Sequence, residues 1–374
     1  MSYETESRIL DEEILGVIAA WHERGETLDD ARFNDLALRL FAYQLRYNEP
    51  YARYCERLGV TFDALPETWE NIPAAPAPAF KQTAVTTFDP TTAALAFETS
   101  GTTNGTGGKQ YFETAKLYDA ALLAGFDRFM LAGAPRLRYF NCVPNPLDAP
   151  HSSLGYMMAR VAERRGDEKT GWYLRDGNLL FDEFKNAMRA TIGAKQPLCL
   201  AATAFALVHL LDGLEREDLR APLPPGSRIM ETGGFKGRSR SLTREELYER
   251  ICDRFCVEPG AIVAEYGMTE LTSQYYDRLP DDRPLTQRRK TSPPWLRARV
   301  VGPDRRSLAH GEVGSLLHVD LANRSSCLAI QTEDLAAMYD DGFVLLGRAS
   351  DAEPRGCSLD TEDLALGTRL QSLA

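Results

Sequence analysis

The stretch AIVAEYGMTELTSQYY, residues 261–276, consists of an apolar run followed by side chains that can bind a ligand. The run AIVAEYG, residues 261–267, is short, apolar and rich in residues that favour strands, which predicts a buried strand. Tyr266, Thr269 and Glu270 lie at or just beyond its end. An aromatic ring can stack on a base, a hydroxyl can bind a phosphate, and a carboxylate can hold Mg²⁺, an ion that prefers oxygen ligands.

The same alternation of short apolar runs and longer amphipathic runs extends through the middle of the chain. Further strand candidates are residues 94–98, 137–143, 197–203 and 227–232. Helix candidates are residues 113–131, 152–166, 180–194, 204–214 and 242–256. This alternation predicts an α/β fold with a mainly parallel sheet covered by helices. Ligands of such sheets usually bind beyond the carboxyl ends of the strands.

The two ends of the chain differ from this middle part. Residues 6–60 carry apolar side chains at helical spacing, and residues 66–85 form a proline-rich connection. After residue 295 the sequence becomes β-rich, with a hairpin signal at Asp341-Gly342. We therefore expect a helical N-terminal region with its connection (1–88), an α/β core (89–346) and a short C-terminal tail (347–374).

Composition excludes several classes of protein. The chain has 374 residues, of which 44% are hydrophobic and 26% charged, with a net charge of −11. This charge argues against nucleic acid as the main partner, because binding phosphates requires a basic face. No apolar run reaches the roughly 18 residues of a membrane span, and the acidic start lacks the features of a signal peptide. Seven scattered cysteines favour reduced thiols, so a cytoplasmic protein is expected.

A glycine- and hydroxyl-rich segment follows the strand candidate at 94–98. It differs from a Walker A loop, which would have glycine in place of Thr103 and serine or threonine in place of Gln110. Its hydroxyl groups, backbone N–H groups and closing lysine nevertheless suit a polyphosphate; they come from Thr99, Ser100, Gly101, Thr102, Thr103, Gly105 and Lys109. A flexible surface loop is the alternative interpretation.

A third polar segment closes the set. Asp334 ends a strand candidate and can accept two hydrogen bonds from ribose hydroxyls, and Arg348 follows Gly347. In this order, the three segments resemble the phosphate loop, the Tyr-Gly-x-Thr-Glu motif and the Asp-then-Gly-Arg signature of the adenylate-forming superfamily. Within that superfamily the chain is similar to acyl-protein synthetases of the LuxE type, in segments such as FETSGTT, METGGFKGRSR, EYGMTELTSQYYD and LGRASDAEPRGCSL.

This resemblance implies a fold and an activity. The fold is an adenylate-forming core of the N-terminal type without the mobile C-terminal lid, since 26 residues follow Arg348. The activity is an AMP-forming ligation in which a carboxylic acid, first of all a fatty acid, reacts with ATP and Mg²⁺ to give an acyl-adenylate. The acyl group then moves to Cys357 and on to a partner such as an acyl reductase.

The resemblance also assigns roles to residues. Ser100, Thr102, Thr103 and Lys109 would hold the β- and γ-phosphates, and Thr269 the α-phosphate. Glu270 would bind Mg²⁺, and Asp334 and Arg348 the ribose. Tyr266 with the Gly233-Gly234 turn would form the adenine slot. The other residues expected to bind ATP or AMP are Thr99, Gly101, Gly105, Gly267 and Met268.

Several alternatives stay open at this point. A ligase without a lid can pass its adenylate to CoA, an amine or a carrier protein, and a nucleotide-binding subunit can lack catalysis altogether. No lid lysine can be carried over, and Lys81, Lys109 or Lys236 would replace it. Arg238, Arg240 and the run QRRK at 287–290 are further cations, interpreted as solvated surface. The apolar segment TAFALVHLL lines an acyl tunnel or packs in the core.

Overall fold

The structure is a computed structural model, and it describes residues 1–99, 107–131, 133, 137–233, 242–279 and 281–348. Eight α-helices lie within these ranges: α1 Tyr3–Arg24, α2 Asp30–Tyr47, α3 Glu49–Arg57, α4 Lys116–Phe126, α5 Ser153–Arg165, α6 Phe181–Gly193, α7 Ala204–Arg216 and α8 Arg244–Phe255. Every helix expected from the sequence is present.

The same ranges contain sixteen strands. In chain order they are β1 Ala75–Pro76, β2 Leu95–Glu98, β3 Lys109–Phe112, β4 Arg138–Cys142, β5 Gly171–Trp172, β6 Leu174–Arg175, β7 Asn178–Leu179, β8 Leu198–Thr203, β9 Arg228–Thr232, β10 Ile262–Tyr266, β11 Tyr275–Asp277, β12 Lys290–Thr291, β13 Leu296–Val301, β14 Val313–Asp320, β15 Ala329–Tyr339 and β16 Gly342–Arg348.

The chain divides into two compact units. The first consists of Met1–Ala124, Met268–Ser273 and Ser292–Ala374, and the second of Gly125–Gly267 and Gln274–Thr291. The expected division at residues 88 and 346 differs from this partition. The expected domain boundaries stay a prediction, because a division into compact units does not show which part of the chain folds independently.

The second unit contains the predicted parallel sheet. Strands β5, β4, β8, β9 and β10 are neighbours in that order and run parallel, and β11 and β12 continue the sheet in antiparallel pairing. Helices α6, α7 and α8 cover it, because their apolar stripes contribute Phe184, Leu207, Leu211 and Ile251 to one buried cluster. Ser152 caps α5 by accepting a hydrogen bond from the backbone of Gly155, as its position predicts.

The first unit is built around an antiparallel sheet of β13, β14, β15 and β16, with β1 paired in parallel to β15. Strands β2 and β3 form a separate two-stranded sheet, so residues 94–98 lie outside the parallel sheet in which their apolar pattern had placed them. Sequence alternation predicts that a segment is a strand but carries no information about its partner.

The N-terminal helices complete the core of the first unit. Phe33 of α2 lies edge-on to Trp69, Phe41 of α2 packs on Tyr51 of α3, and Trp21 of α1 packs on Trp295. The helical spacing in residues 6–60 therefore reflects an amphipathic face packed on a larger domain, as predicted. None of the helices in the described ranges has the length and apolarity needed to cross a membrane.

Candidate functional site

The base of the glycine-rich segment is a short antiparallel pair in the first unit. Residues 95–98 pair with residues 109–112, so Glu98 stands opposite Lys109. The backbone of Thr99 donates to the carbonyl of Gly108 at 2.8 Å. The hydroxyl of Thr99 accepts from the N–H of Gly108 at 2.7 Å. These bonds fix the point at which the segment leaves the sheet and returns to it.

Lys109 is partly exposed and already paired. Its Nζ lies 2.8 Å from Oε1 of Glu98, with the two side chains 50% and 39% exposed. Glu98 raises the pKa of Lys109 through this hydrogen bond and its charge. The lysine is thus cationic, and a phosphate would compete with Glu98 for it.

In the second unit, the Tyr-Gly half of the motif ends β10. Tyr266 is buried, and its ring centroid lies 5.9 Å from that of Tyr275. A side chain at position 267 would require Glu265 to move, since an added Cβ would stand 2.5 Å from Oε1 of Glu265. On the neighbouring strand, Gly233 follows β9 with φ of +71°, a left-handed conformation that glycine adopts without strain.

The last three residues of the motif, Met268, Thr269 and Glu270, belong to the first unit. Two polar residues hold this segment: Asp320, the last residue of β14, and Asn323, three residues beyond it. Asn323 donates from Nδ2 to the carbonyl of Glu270 at 2.9 Å and accepts from the backbone of Thr272 at 2.8 Å. Asp320 accepts from the backbone and the hydroxyl of Ser273 at 2.9 and 3.0 Å. These bonds fix the backbone on both sides of Leu271.

Glu270 is the most unusual group of the motif. It is 6% exposed, and burial raises the pKa of its carboxyl to about 7. Positive charge on Arg348 and Lys81 opposes this shift, whereas Asp334 adds to it. No side chain in the described ranges donates a hydrogen bond to the carboxylate. A buried carboxylate among charges of both signs is the kind of group that functional sites contain.

Asp334 and Arg348 stand opposite each other on β15 and β16. Nε of Arg348 lies 3.4 Å from Oδ1 of Asp334, and the arginine is 67% exposed. The preceding Gly347 has φ of +123°, and the register of the two strands shifts next to it. The structure therefore pairs Asp334 with Arg348 in the unit that also contains Glu270, and the expected roles of the three residues at a nucleotide stay predictions.

The run QRRK was wrongly interpreted as solvated surface. Arg288 and Lys290 are 5% and 2% exposed. Nζ of Lys290 donates to the carbonyl of Ala264 at 2.6 Å and to Asp277 at 2.7 Å. Arg288 donates to the carbonyl of Ile262 at 2.9 Å. These two cations bond the first and middle residues of β10, so their charge is compensated inside the second unit.

TAFALVHLL belongs to the core. Ala206, Leu207, Leu210 and Leu211 of α7 are buried in the cluster that covers the parallel sheet. The structure therefore supports the core interpretation of this segment over the acyl tunnel.

Several predicted site residues lie outside the described ranges. They are Ser100, Gly101, Thr102, Thr103, Gly105, Gly234 and Cys357, together with Lys236, Arg238 and Arg240. Conversely, the sequence pattern did not predict a role for Asn323 and Asp320. The signal was present as the polar run DLANRSS directly after an apolar strand, but that run resembles an ordinary turn.

The described residues test the metal assignment only in part. Within those ranges no group of three or more His, Cys, Asp or Glu side chains is arranged to hold a metal. Mg²⁺ is commonly held by one or two carboxylates together with substrate phosphates. The oxygen ligand offered by Glu270 fits such a shared site.

Comparison with solved structures places this architecture in a known class. A crystal structure of a 2-hydroxyisobutyryl-CoA ligase in complex with 2-HIB-AMP and CoA superimposes with a TM-score of 0.65 at 15% identity. The match covers 88% of this chain and 70% of that one. The fold is that of adenylate-forming ligases, and within the described ranges, which end at Arg348, no separate C-terminal lid is evident.

Sequence comparison then narrows the class to a family. The model of the family "Acyl-protein synthetase, LuxE" matches residues 19–364, and the chain belongs to this family. A long-chain-fatty-acid–luciferin-component ligase of Vibrio harveyi is 25% identical over 312 residues, or 80% of this chain and 78% of the relative. The corresponding ligase of Aliivibrio fischeri is 23% identical over 313 residues, or 82% and 79%.

Proposed function

We propose that the chain is an AMP-forming ligase that activates a long-chain fatty acid with ATP and carries the acyl group on Cys357. The observation that carries the proposal is the buried carboxylate of Glu270 beside the Asp334–Arg348 pair, in a chain of the acyl-protein synthetase family. The fatty-acid substrate is suggested by the names of the two ligases of luminous bacteria.

Activation makes a carboxylate, which is a poor electrophile, into a mixed anhydride with AMP. A carboxylate oxygen forms a bond to the α-phosphorus, and the bond from that phosphorus to the bridging oxygen breaks as pyrophosphate leaves with the electron pair. The protein contributes positions and compensating charges, as in other transfers at phosphorus. Asp334 accepts hydrogen bonds from the ribose, Arg348 contacts ribose or phosphate, and Thr269 donates to the α-phosphate.

The remaining roles follow the family. Ser100, Thr102, Thr103 and Lys109 bind the β- and γ-phosphates, with Thr99, Gly101 and Gly105 shaping their segment. Tyr266 and Gly267 with Met268 border the adenine beside Gly233 and Gly234. Mg²⁺ bound by Glu270 and the phosphates would neutralise charge on the leaving pyrophosphate.

The second half of the reaction uses a thiol. The Cys357 thiolate attacks the acyl carbon, a thioester forms, and AMP leaves with the electron pair of the broken anhydride bond. The neighbouring Arg355 favours the thiolate electrostatically, whereas Asp351, Glu353 and Asp360 oppose it. The acyl group then passes to an acceptor, for which an acyl reductase is the family's precedent.

The test is intact-protein mass spectrometry after incubation with ATP, Mg²⁺ and a panel of acids of increasing chain length. Wild type, Cys357→Ser and Cys256→Ser are compared, because Cys256 is an exposed thiol that no proposed role involves and therefore serves as the matched control. We expect a hydroxylamine-labile adduct with a long-chain acid on wild type and Cys256→Ser, and none on Cys357→Ser.

Other outcomes separate the alternatives. Pyrophosphate release without an adduct on any protein would retain adenylation and overturn the carrier role of Cys357. CoA, an amine or a carrier protein would then be the acceptor to test. ATP–pyrophosphate exchange no faster than buffer with every acid would favour a non-catalytic nucleotide-binding subunit.

A further inference from the structure

The activation step needs a cation near the reacting phosphate. Negative charge gathers on the phosphate oxygens when a carboxylate attacks an already anionic group, and fixed positive charge in the site lowers that barrier. The first unit has three lysines in its described part, Lys81, Lys109 and Lys116. Lys109 is paired with Glu98 at 2.8 Å, and Lys116 is an exposed residue at the start of α4.

The path of the chain brings Lys81 to the strand that carries Asp334. Ala75 and Pro76 of β1 pair in parallel with Ile330 and Gln331 of β15. A 3₁₀ helix, Ala77–Lys81, follows and packs against β15 and β3. Asp334 lies on β15, three residues beyond Gln331.

The stem of Lys81 lies against the base of the glycine-rich segment. A Cβ added to Gly108 would stand 3.2 Å from Cγ of Lys81 and 3.1 Å from the carbonyl carbon of Phe80. Gly108 is also the residue whose N–H donates to the hydroxyl of Thr99. Glycine at 108 therefore lets the lysine stem pass close beside the residues that open and close the segment.

The charge of Lys81 is available to a ligand. The side chain is exposed, and its ammonium makes no hydrogen bond or ion pair with the described residues. Lys81 thus differs from Lys109, which has a carboxylate partner, and from Lys290, whose ammonium is bonded inside the second unit.

We propose that Lys81 is a catalytic residue whose ammonium group binds the α-phosphate of ATP while the acyl-adenylate forms. The inference rests on the proposed function. In this step a carboxylate oxygen of the acid bonds to the α-phosphorus, and the bond to the bridging oxygen breaks with its electron pair going to pyrophosphate. Lys81 keeps its proton and donates a hydrogen bond to a non-bridging oxygen of the phosphate.

The experiment separates the two half-reactions. ATP–pyrophosphate exchange with a long-chain acid reports adenylate formation, and transfer from a synthetic fatty acyl-adenylate to the protein thiol reports the second half. Lys81→Gln and Lys81→Arg are compared with Lys116→Gln, an exposed lysine of the same unit. Thermal unfolding is measured for each protein.

We expect Lys81→Gln to lose at least about 100-fold in exchange, the size of effect that removal of one charge-stabilising group has. Its melting temperature and its transfer from synthetic adenylate should match wild type. Lys81→Arg should recover part of the exchange, because it restores the charge with another geometry, and Lys116→Gln should exchange like wild type.

Three results would overturn the assignment. They are exchange by Lys81→Gln within threefold of an active wild type, an equal loss in both half-reactions, and an equal loss in Lys116→Gln. Absence of exchange in the wild type with every acid would instead refute the proposed function, so the two failures are distinguishable.

Discussion

Two buried carboxylates five residues apart, Glu265 and Glu270, have nearly the same pKa and opposite surroundings. Burial raises the pKa of each to about 7. Glu265 accepts a hydrogen bond from the hydroxyl of Thr232, and Lys290 in the same unit lowers its pKa. Glu270 has no side-chain donor in the described ranges, and the charges around it belong to the exposed Arg348 and Lys81 and to Asp334.

The surroundings of the two carboxylates distinguish a structural carboxylate from one that can bind a ligand. A buried charge with opposite charges and hydrogen-bond donors in its own unit is already compensated. Removing one of those partners destabilises the protein by the desolvation free energy of the charge. A buried charge that faces exposed cations retains bonding capacity for a ligand. Glu265 is of the first kind and Glu270 of the second, although the sequence presents them as neighbours in a single motif.

The largest expected effect is on the free energy of unfolding, when a cation that compensates buried carboxylates in the second unit is removed. Lys290→Met removes the ammonium that bonds Asp277 and the carbonyl of Ala264, and it should destabilise the protein by about 3–5 kcal/mol, the usual cost of an orphaned buried charge. Urea unfolding measures it. Lys109→Met, which removes the exposed partner of Glu98, is the matched control and should leave the midpoint unchanged. A similar small shift for both variants would contradict the structural role of Lys290.

A matched pair of substitutions sharpens the contrast between the carboxylates. Glu270→Gln should reduce ATP–pyrophosphate exchange by about 100-fold or more, since a carboxamide cannot replace the charge. It should leave the melting temperature at or above the wild-type value. Glu265→Gln should retain exchange within severalfold. Equal losses of exchange in both variants would remove the functional distinction between the two residues.

The pH dependence of stability tests Glu265 directly. Its folded pKa, about 7, lies above the ordinary value of 4.5, so the folded state binds the proton more tightly and stability falls as pH rises between these values. The wild type should lose about 2 kcal/mol relative to Glu265→Gln between about pH 5 and pH 8. Urea unfolding of both proteins across that range measures the difference. Parallel curves would show that Glu265 ionises normally.

The smallest expected effect concerns the donor to Glu265. Thr232→Val removes the hydroxyl that lowers the pKa of this carboxyl. The pKa should therefore rise further, and the variant should lose about 1 kcal/mol above neutral pH, the usual worth of one such hydrogen bond. Stability at low pH, where Glu265 is protonated in both proteins, serves as the internal control. A loss that is the same at every pH would point to packing instead.

Prediction from sequence succeeded where the pattern is local. The runs at 137–143, 197–203, 227–232 and 261–267 became β4, β8, β9 and β10, because a short apolar run bounded by turns is buried on both faces of a parallel sheet. Among the residues of the three polar segments, Asp334 and Arg348 stand opposite each other on β15 and β16, and the roles expected of the site residues stay predictions.

Prediction failed where the outcome depends on a distant partner. The local sequence QRRK is typical of an exposed basic segment and does not indicate that Lys290 pairs with Asp277. Asn323 and Asp320 hold the Glu270 segment across about fifty residues of chain. The choice of Lys81 over Lys109 likewise rests on the Glu98 pair and on the parallel register of β1 with β15.

The first unit contains residues from both ends of the described chain. During synthesis its N-terminal part must therefore wait for its C-terminal part before the unit can fold completely. Nε2 of Gln44 in α2 donates to the carbonyl of Asn323 at 2.8 Å, and Arg324 pairs with Asp11 of α1 at 2.8 Å. At roughly 5–20 residues per second, the ribosome needs about 15–60 s to deliver Asn323 after Gln44. For most of that interval Trp21 of α1 also lacks Trp295, on which it packs, so α1 is a segment that nascent-chain chaperones would find exposed.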